Sequence, residues 1–415
     1  MRATLVSAAL ALSTLTVPAV AFAQTAPAEP PLADQPVTTG SGTGESGAPP
    51  GQPGGIREQP AAAAQHTPGE TTAGAKVDLL SRLDPELFGY VKLGYFFVTS
   101  PSNDALVGSN SGFRLVNARI GVSLHPAKDL EAVISIDGAA PMRRDLDPLE
   151  GSRVVALRDG YLDYRVSPYL RIRGGQFKAP FNAEVLLPDD ALPFISRSIV
   201  SEGVLPPEGF ARSGLSLDRQ IGLQISSDRL GGDVGVQYAV ALVNGNGANV
   251  LNNDNNSVTP VARLSAGYRD LVTVGANGFY NSATYGERPV RIDETRLGYG
   301  GDVTVNVAGV NAFAMVLFQS LHHLDVGIPD EQAMGIVAQA KYVYEPVGIE
   351  AGVRFDRLEP SDVQTNDMLT EIIGMVGYRV KGFPARILAQ YTHRIEEPGA
   401  SIDNDSVDAL AQITF

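Results

Sequence analysis

The sequence predicts an all-β protein, a 16-stranded antiparallel transmembrane β-barrel that follows a disordered N-terminal tether. Three observations predict this fold class. Segments of about ten residues with alternating apolar and polar side chains fill the chain from residue 83 to its end. The connections between them alternate between short turns and long loops. The chain also begins with an export signal and ends in an aromatic residue, Phe415.

The composition of the 415-residue chain excludes several protein classes. It contains no Cys, which excludes disulfides, thiolate metal sites and Cys nucleophiles. The formal net charge of −14 argues against binding to nucleic acid, because a protein needs a basic surface to neutralise phosphates. The five His residues are scattered, and we expect no metal site and no cofactor. Beyond the first residues no apolar run approaches the ~18 residues of a membrane-spanning helix, so a membrane protein of this sequence has to be a closed barrel.

Residues 1–23 have the pattern of a secretory signal peptide. Arg2 precedes an apolar run, and Ala21-Phe22-Ala23 places small residues at the two positions that a signal peptidase reads. An uncleaved anchor helix is the alternative, but Ser, Thr and Pro interrupt the run. We therefore expect cleavage before Gln24 and export from the cytoplasm.

Residues 24–80 form a linker of Pro, Gly, Ala, Thr and Ser with few large apolar side chains. Such a segment cannot bury enough apolar surface to offset its chain entropy. We expect a disordered tether here, followed by a barrel domain over 81–415.

The barrel domain shows its period-two alternation most clearly in Ala118–Leu124 and Ile349–Phe355, where every second side chain is apolar. The predicted strands cover 87–97, 112–124, 129–138, 157–166, 169–176, 219–226, 233–243, 258–268, 271–281, 294–307, 310–321, 333–345, 347–357, 370–380, 384–394 and 405–415.

The connections between these strands keep a regular rhythm. Short turns such as Arg269-Asp270 and Ala308-Gly309 alternate with long loops such as 139–156 and 177–218. Transmembrane barrels have short periplasmic turns and long outer loops, and an even number of strands returns both barrel ends to the periplasm.

The last predicted strand has apolar side chains at every second position and ends at Phe415. It resembles the aromatic-ended final strand of bacterial outer-membrane proteins. Because the chain has no Trp, the aromatic girdles at the two membrane interfaces would consist of Tyr and Phe. Candidates are Tyr95, Phe97, Tyr268, Tyr299 and Tyr378.

The interior of a sixteen-stranded barrel is an aqueous channel, so function depends on the inward-facing side chains. Assigning the apolar phase to lipid leaves eleven basic side chains facing inward: Lys92, Arg119, Arg165, Arg171, Arg173, Arg263, Arg296, Arg354, Arg379, Arg386 and Arg394. The same phase places seven acidic ones there: Glu131, Asp137, Asp159, Asp163, Asp302, Glu350 and Asp356. This excess predicts a mild preference for anions. The alternative is that charges of both signs pair across the wall.

The loop 177–218 is too apolar to extend into water, with four Phe among its residues. We expect it to fold against the inner wall and to narrow the channel; packing at a subunit contact is the alternative. The predicted cations at the pore and its constriction are Arg171, Arg173, Lys178, Arg197, Arg212, Arg119, Arg354 and Arg379. Arg171 and Arg173 point the same way on one strand, because they stand two residues apart.

Several stretches resemble the phosphate-selective porin O and P family over about residues 157–245. They are Leu157-Arg158-Asp159-Gly160-Tyr161-Leu162-Asp163-Tyr164-Arg165, Arg173-Gly174-Gly175-Gln176-Phe177-Lys178-Ala179-Pro180-Phe181, Phe194-Ile195-Ser196-Arg197-Ser198, Gln220-Ile221-Gly222-Leu223-Gln224 and Val240-Ala241-Leu242-Val243-Asn244-Gly245. The resemblance implies a sixteen-stranded, usually trimeric outer-membrane channel. The lysine cluster with which the best-known members bind phosphate is absent from the loop of this chain.

The combined interpretation is a porin of the bacterial outer membrane that lets small solutes diffuse passively, with a mild preference for anions and with phosphate as a candidate. Its expected partners are outer-membrane lipid, small anionic solutes and two further copies of the chain. A receptor or adhesin barrel is one alternative. A hydrolase is another, although the sequence contains no G-x-S-x-G and its His residues lie in a turn (His125), a loop (His322-His323) and near a strand end (His393).

Overall fold

The computed structural model describes residues 83–99, 111–141, 153–204, 212–250, 252–285, 291–324, 327–397 and 404–415. The signal peptide and the linker predicted for 1–23 and 24–80 lie outside the described residues. Within these ranges the chain is almost entirely β-structure. None of the helices in the described ranges is both long enough and apolar enough to cross a membrane.

The strands of the described chain follow one another with few interruptions. They are β1 (Glu86–Val98), β2 (Gly112–Ala127), β3 (Leu130–Pro141), β4 (Arg153–Ser167), β5 (Leu170–Lys178), β6 (Gly203–Val204), β7 (Arg212–Ser213), β8 (Arg219–Ser226), β9 (Leu230–Gly231), β10 (Val234–Val243), β11 (Thr259–Tyr268), β12 (Val272–Tyr285), β13 (Ile292–Val307), β14 (Val310–His323), β15 (Glu331–Tyr344), β16 (Ile349–Glu359), β17 (Leu369–Arg379), β18 (Ala385–Glu396) and β19 (Ser406–Thr414).

Sixteen of these strands close into one antiparallel barrel, which confirms the predicted fold class. The two-residue strands do not add to the wall: β6 pairs with β7 inside a loop, and β9 pairs with the start of β10. The barrel closes where β1 pairs with β19, from Tyr90 opposite Thr414 to Val98 opposite Ser406. Gly89 and Phe415 exchange two backbone hydrogen bonds of 2.9 Å, so the seam stays paired to the last residue.

The two ends of the barrel differ in their connections. At one end, here the turn end, most turns between wall strands have two to five residues, and the two chain ends of the barrel also lie there. Ala308 and Gly309 form one such turn with φ values of 49° and 82°, a conformation that a two-residue hairpin turn requires and that favours Gly. The longer connections, including residues 179–218, lie at the opposite loop end.

The two faces of the wall separate as the alternation predicts. On β16, Val353 is 64% exposed, whereas its neighbour Arg354 is 2% exposed. All five predicted girdle aromatics, from Tyr95 to Tyr378, are likewise exposed on the outer face. An apolar outer face and a polar inner face are the arrangement that a barrel in lipid requires.

The loop between β5 and β8 (residues 179–218) contains two one-turn helices, α1 (Ala183–Leu186) and α2 (Ile199–Glu202), with a 3₁₀ turn at Asp189–Ala191 between them. The α1 helix starts where Asn182 accepts a hydrogen bond of 2.9 Å from the backbone N–H of Val185. Glu184 accepts a hydrogen bond of 2.9 Å from the backbone N–H of Ser198, the residue that caps α2. The two helices are therefore tied together.

Candidate functional site

The described parts of the loop, residues 179–204 and 212–218, lie inside the barrel, as predicted from the apolar residues of the loop. Arg354 on β16 donates a hydrogen bond of 2.7 Å to the carbonyl of Ser196. Arg386 on β18 donates one of 2.9 Å to the carbonyl of Leu192. Two strands further around the wall, Lys92 on β1 donates to the carbonyl of Asp189. Inward-facing side chains of three strands on this side of the barrel thus hold the backbone of the loop within the lumen.

Apolar contacts hold the loop along one half of the wall. Ile199, Val200, Val204 and Leu215 pack in one buried cluster with inward-facing residues of β10 to β17. The wall contributes Ala241, Val243, Val261, Phe279, Phe313, Met315, Leu317, Ala333, Val337, Leu358 and Leu369. The interior is therefore not aqueous where these residues meet the loop, although the same strands also carry inward-facing charges such as Arg263, Asp302 and Arg354.

The carboxylate of Asp189 is the meeting point of the loop with the cationic half of the wall. Its oxygens lie 3.5 Å from Arg119, 3.8 Å from Arg158 and 3.6 Å from Lys178, and Arg197 also pairs with it. The hydroxyl of Tyr90 donates a hydrogen bond of 3.1 Å to the same carboxylate. Burial alone would raise the pKa of Asp189, but attraction to Lys178 and Arg197 outweighs it and holds the pKa well below its usual range. Asp189 is therefore charged at neutral pH.

A second carboxylate, Asp159 on β4, lies between two arginines. It pairs with Arg119 and, at 2.9 Å, with Arg219, whose side chain is almost fully buried. An irregularity in the pairing of β3 with β4 explains how Arg158 also reaches the lumen: Ser135 lies opposite Asp159 and Ile136 opposite Leu157, so Arg158 is an extra residue. Such a bulge redirects side chains and breaks the strict alternation.

A third carboxylate, Asp163, forms ion pairs with both Arg171 and Arg173. The distances are 3.0 Å and 2.7 Å, and each arginine keeps about a quarter to a third of its side chain exposed. The guanidinium of Arg173 also lies 4.2 Å above the ring of Tyr161. Arg171 and Arg173 therefore point the same way, as predicted from their spacing of two residues on one strand.

The cations around these three carboxylates outnumber them. Among the described residues, Asp159, Asp163 and Asp189 have seven basic partners: Arg119, Arg158, Arg171, Arg173, Lys178, Arg197 and Arg219. Asp218 and Asp228 add contacts to Arg219 and Arg171 without removing the excess. The Nε atoms of Arg119 and Arg158 have no hydrogen-bond partner within the described part of the chain. We call these seven residues the cation cluster.

The remaining predicted cations lie elsewhere. Arg354 pairs at 2.8 Å with Asp356, and Arg379, which is 42% exposed, lies 3.3 Å from Glu350. Arg212 starts β7, and its side chain is outside the described structure. Among the cations predicted at the pore and its constriction, Arg171 and Arg173 meet at Asp163, whereas Lys178 and Arg197 meet at Asp189.

Sequence reasoning missed several charged groups in the lumen. The acidic ones are Glu184, Asp189, Glu294, Glu371 and Asp408, and the basic ones are Arg158, Arg219 and Lys341. Loop residues such as Asp189 have no strand alternation from which their direction could be predicted. The bulge breaks the alternation at Arg158, so the sequence pattern assigned its side chain to the wrong face. The apolar half of the lumen did leave a signal: in β14 both phases are apolar from Phe313 to Phe318, which indicates a strand that is covered on both faces.

A cavity of about 550 Å³ lies between the loop and the turn end of the barrel. Six cations line it, namely Arg119, Arg171, Arg173, Lys178, Arg219 and Arg263. Asp159 and Asp190 are its acidic lining residues. We call this cavity the vestibule. Its excess of positive charge focuses a potential that attracts anions.

The described His residues form no hydrolytic site with the groups that they contact. His393 faces outward, and its Nδ1 lies 2.8 Å from Asp405. His322 is paired at 2.7 Å with Asp330, and His322 and His323 end β14 rather than lying in a loop. His125 lies within β2 rather than in a turn. In the described ranges no group of three His, Cys, Asp or Glu side chains could hold a metal ion.

Comparison with known proteins gives structural matches alone. No family model matches the sequence, and no curated protein matches it. The anion-selective porin from Comamonas acidovorans superposes with a TM-score of 0.55 at 10% identity, over 80% of this chain and 99% of that one. The outer membrane channel DcaP of Acinetobacter baumannii gives 0.54 at 15% identity, over 80% and 97%.

A third structure is the trimer form of OmpT, an outer membrane protein of Vibrio cholerae, with a TM-score of 0.53 at 13% identity over 80% of this chain and 99% of that one. At these identities the likeness concerns the fold. The chain has the architecture of the porins of bacterial outer membranes, and the apolar outer face of its barrel suits that membrane.

Proposed function

We propose that this chain is an outer-membrane porin through which small solutes diffuse passively, with a mild preference for anions. The observation that carries the proposal is the cation cluster, in which seven cations share Asp159, Asp163 and Asp189 beside a loop that occupies the lumen. Fixed guanidinium groups at such a place lower the energy of an entering anion. The anion-selective porin among the structural neighbours has the same fold.

The resemblance of residues 157–245 to phosphate-selective porins makes phosphate the first anion to compare with chloride. The arginines of the cation cluster favour such an anion, because a guanidinium pairs with oxyanions through two parallel hydrogen bonds. The trimer form of one structural neighbour supports assembly as a homotrimer.

The experiment is a reversal-potential measurement in a planar bilayer across a salt gradient, with and without phosphate. We expect the wild-type potential to favour chloride over potassium. Replacing Arg171 and Arg173 by Glu gives a group of three carboxylates, of which Asp163 is one. We expect the reversal potential to shift towards potassium. The barrel should still insert, because substitutions in the lumen tune selectivity.

A matched control is Arg269→Gln, which removes a cation from an exposed turn where it pairs with Asp233. The control should leave the potential unchanged. A reversal potential that stays the same in the double variant would contradict the role of this pair, and a wild-type protein without conductance would contradict the channel itself.

A further inference from the structure

The vestibule combines two kinds of surface that a site for small inorganic ions would not need together. Its volume of about 550 Å³ lies in the range of ~300–1,000 Å³ that is typical of sites for organic molecules. Beside the cations, it is lined by apolar and aromatic residues, among them Phe88, Tyr161 and Leu186.

Leu186 is the residue that points most directly to an organic ligand. It ends α1 within the lumen, and its side chain is 38% exposed although apolar side chains of the same loop, such as Val200, are fully buried. The loop therefore presents Leu186 to the vestibule, together with Pro180 and Pro188, while it packs other apolar side chains against the wall. Covering Leu186 with an apolar group would remove its surface from water, which is favourable.

Tyr161 joins the apolar and cationic parts of the vestibule. Its ring packs against the buried cluster that includes Phe177, and the guanidinium of Arg173 lies 4.2 Å above it. Arg173 shares Asp163 with Arg171, and Arg171 also lies 3.6 Å from Asp228. Because Asp228 pairs with Arg165 as well, three arginines share two carboxylates and one positive charge stays in excess. A carboxylate held by these arginines would place an attached ring near Tyr161.

We infer that the vestibule binds organic anions that combine a carboxylate with an aromatic ring. The inference rests on the proposed channel and specifies its substrate class. The cations Arg171 and Arg173 hold the carboxylate, and Tyr161 and Leu186 cover the ring. An inorganic anion or a short aliphatic acid uses only the cations, and it leaves Leu186 in contact with water.

The test compares benzoate with acetate as blockers of the chloride current through the full-length protein in a planar bilayer. We expect benzoate to halve the chloride conductance at a concentration at least tenfold lower than acetate. Leu186→Ser should remove most of that difference and leave block by acetate unchanged. Tyr161→Ser should also remove most of that difference. Arg173→Gln should weaken block by both acids.

The matched control is Leu324→Ser, which changes a 58% exposed leucine at the loop end of the barrel. It should keep the tenfold difference, and heat-modifiable migration of each variant in gels reports that its barrel is folded. Equal block by benzoate and acetate, with chloride current intact, would overturn this inference and leave the channel standing. Equal losses in Leu186→Ser and Leu324→Ser would overturn it too. The absence of any chloride current would overturn the channel and this inference together.

Discussion

At the residue scale, Asp189 decides how the loop meets the wall. Its buried carboxylate faces Arg119, Arg158, Lys178 and Arg197. The negative charge that the loop brings to the cationic half of the lumen is therefore compensated. Removing one partner of a buried ion pair costs about 3–5 kcal/mol, because the remaining charge loses its partner. The loop position and the proposed ion preference are therefore expected to be coupled through this residue.

Asp189→Asn keeps the size of the side chain and removes its charge. We expect the reversal potential to shift further towards chloride, because four cations lose a shared counter-charge, and we expect larger fluctuations of the single-channel current from a less firmly held loop. Asp233→Asn, at an exposed turn carboxylate, is the matched control. A variant with the wild-type reversal potential and wild-type fluctuations of the single-channel current would show that Asp189 sets neither property.

At the scale of elements, the helix α2 is held against β15 by close contact. A Cβ atom at Gly335 would lie 2.3 Å from a methyl group of Val200, which is fully buried in the apolar cluster. Packed interiors do not absorb such an overlap without movement, and overpacking costs typically about 1–3 kcal/mol. The absence of a side chain at residue 335 thus fixes how closely the loop approaches the wall.

Gly335→Ala should displace α2 from the wall and change the single-channel conductance by a measurable fraction, with the barrel still folded. Gly374→Ala is the control, because no described atom lies within 4 Å of its Cβ position. Conductance histograms of the two variants in the same bilayers provide the comparison. Identical histograms would mean that the apolar contact does not position the loop.

At the scale of the whole molecule, the wall is not equally high on all sides. The strands β5 and β8 have nine and eight residues, whereas β13 has sixteen. At a rise of about 3.3 Å per residue and a tilt of about 40°, eight residues span roughly 20 Å, less than the roughly 25 Å apolar band of such barrels. A neighbouring protomer would protect this low side of the wall from lipid.

We therefore expect the low side to face the centre of the proposed trimer. Leu223 on β8 is 64% exposed on the outer face, and the chain has no Cys of its own. Leu223→Cys should give cross-linked protomers with a short bis-maleimide, whereas Leu297→Cys on the long strand β13 should give few. A native mass in detergent equal to that of the denatured chain would contradict the trimer, and cross-linking only through residue 297 would contradict its orientation.

The sequence by itself determined the strand pattern, the two faces of the wall and the closing strand at Phe415. These features are local: alternation with period two assigns Val353 to lipid and Arg354 to the lumen, whatever the rest of the chain does. The composition of the loop also showed that it needs cover, since so many apolar side chains are unfavourable in water, but it left the lumen and a subunit contact as alternatives.

Only the tertiary structure decided which charges meet and where the lumen is apolar. Asp189 gathers cations from β2, β4, β5 and its own loop, and no spacing along the chain encodes such a meeting point. The bulge at Arg158 adds a cation that strict alternation assigns to the outside. The inward residues of β14 belong to the same buried cluster as α2, which lies more than a hundred residues earlier in the chain. Pairings of that separation follow from the closed barrel and the path of the loop, because side-chain chemistry alone admits many partners.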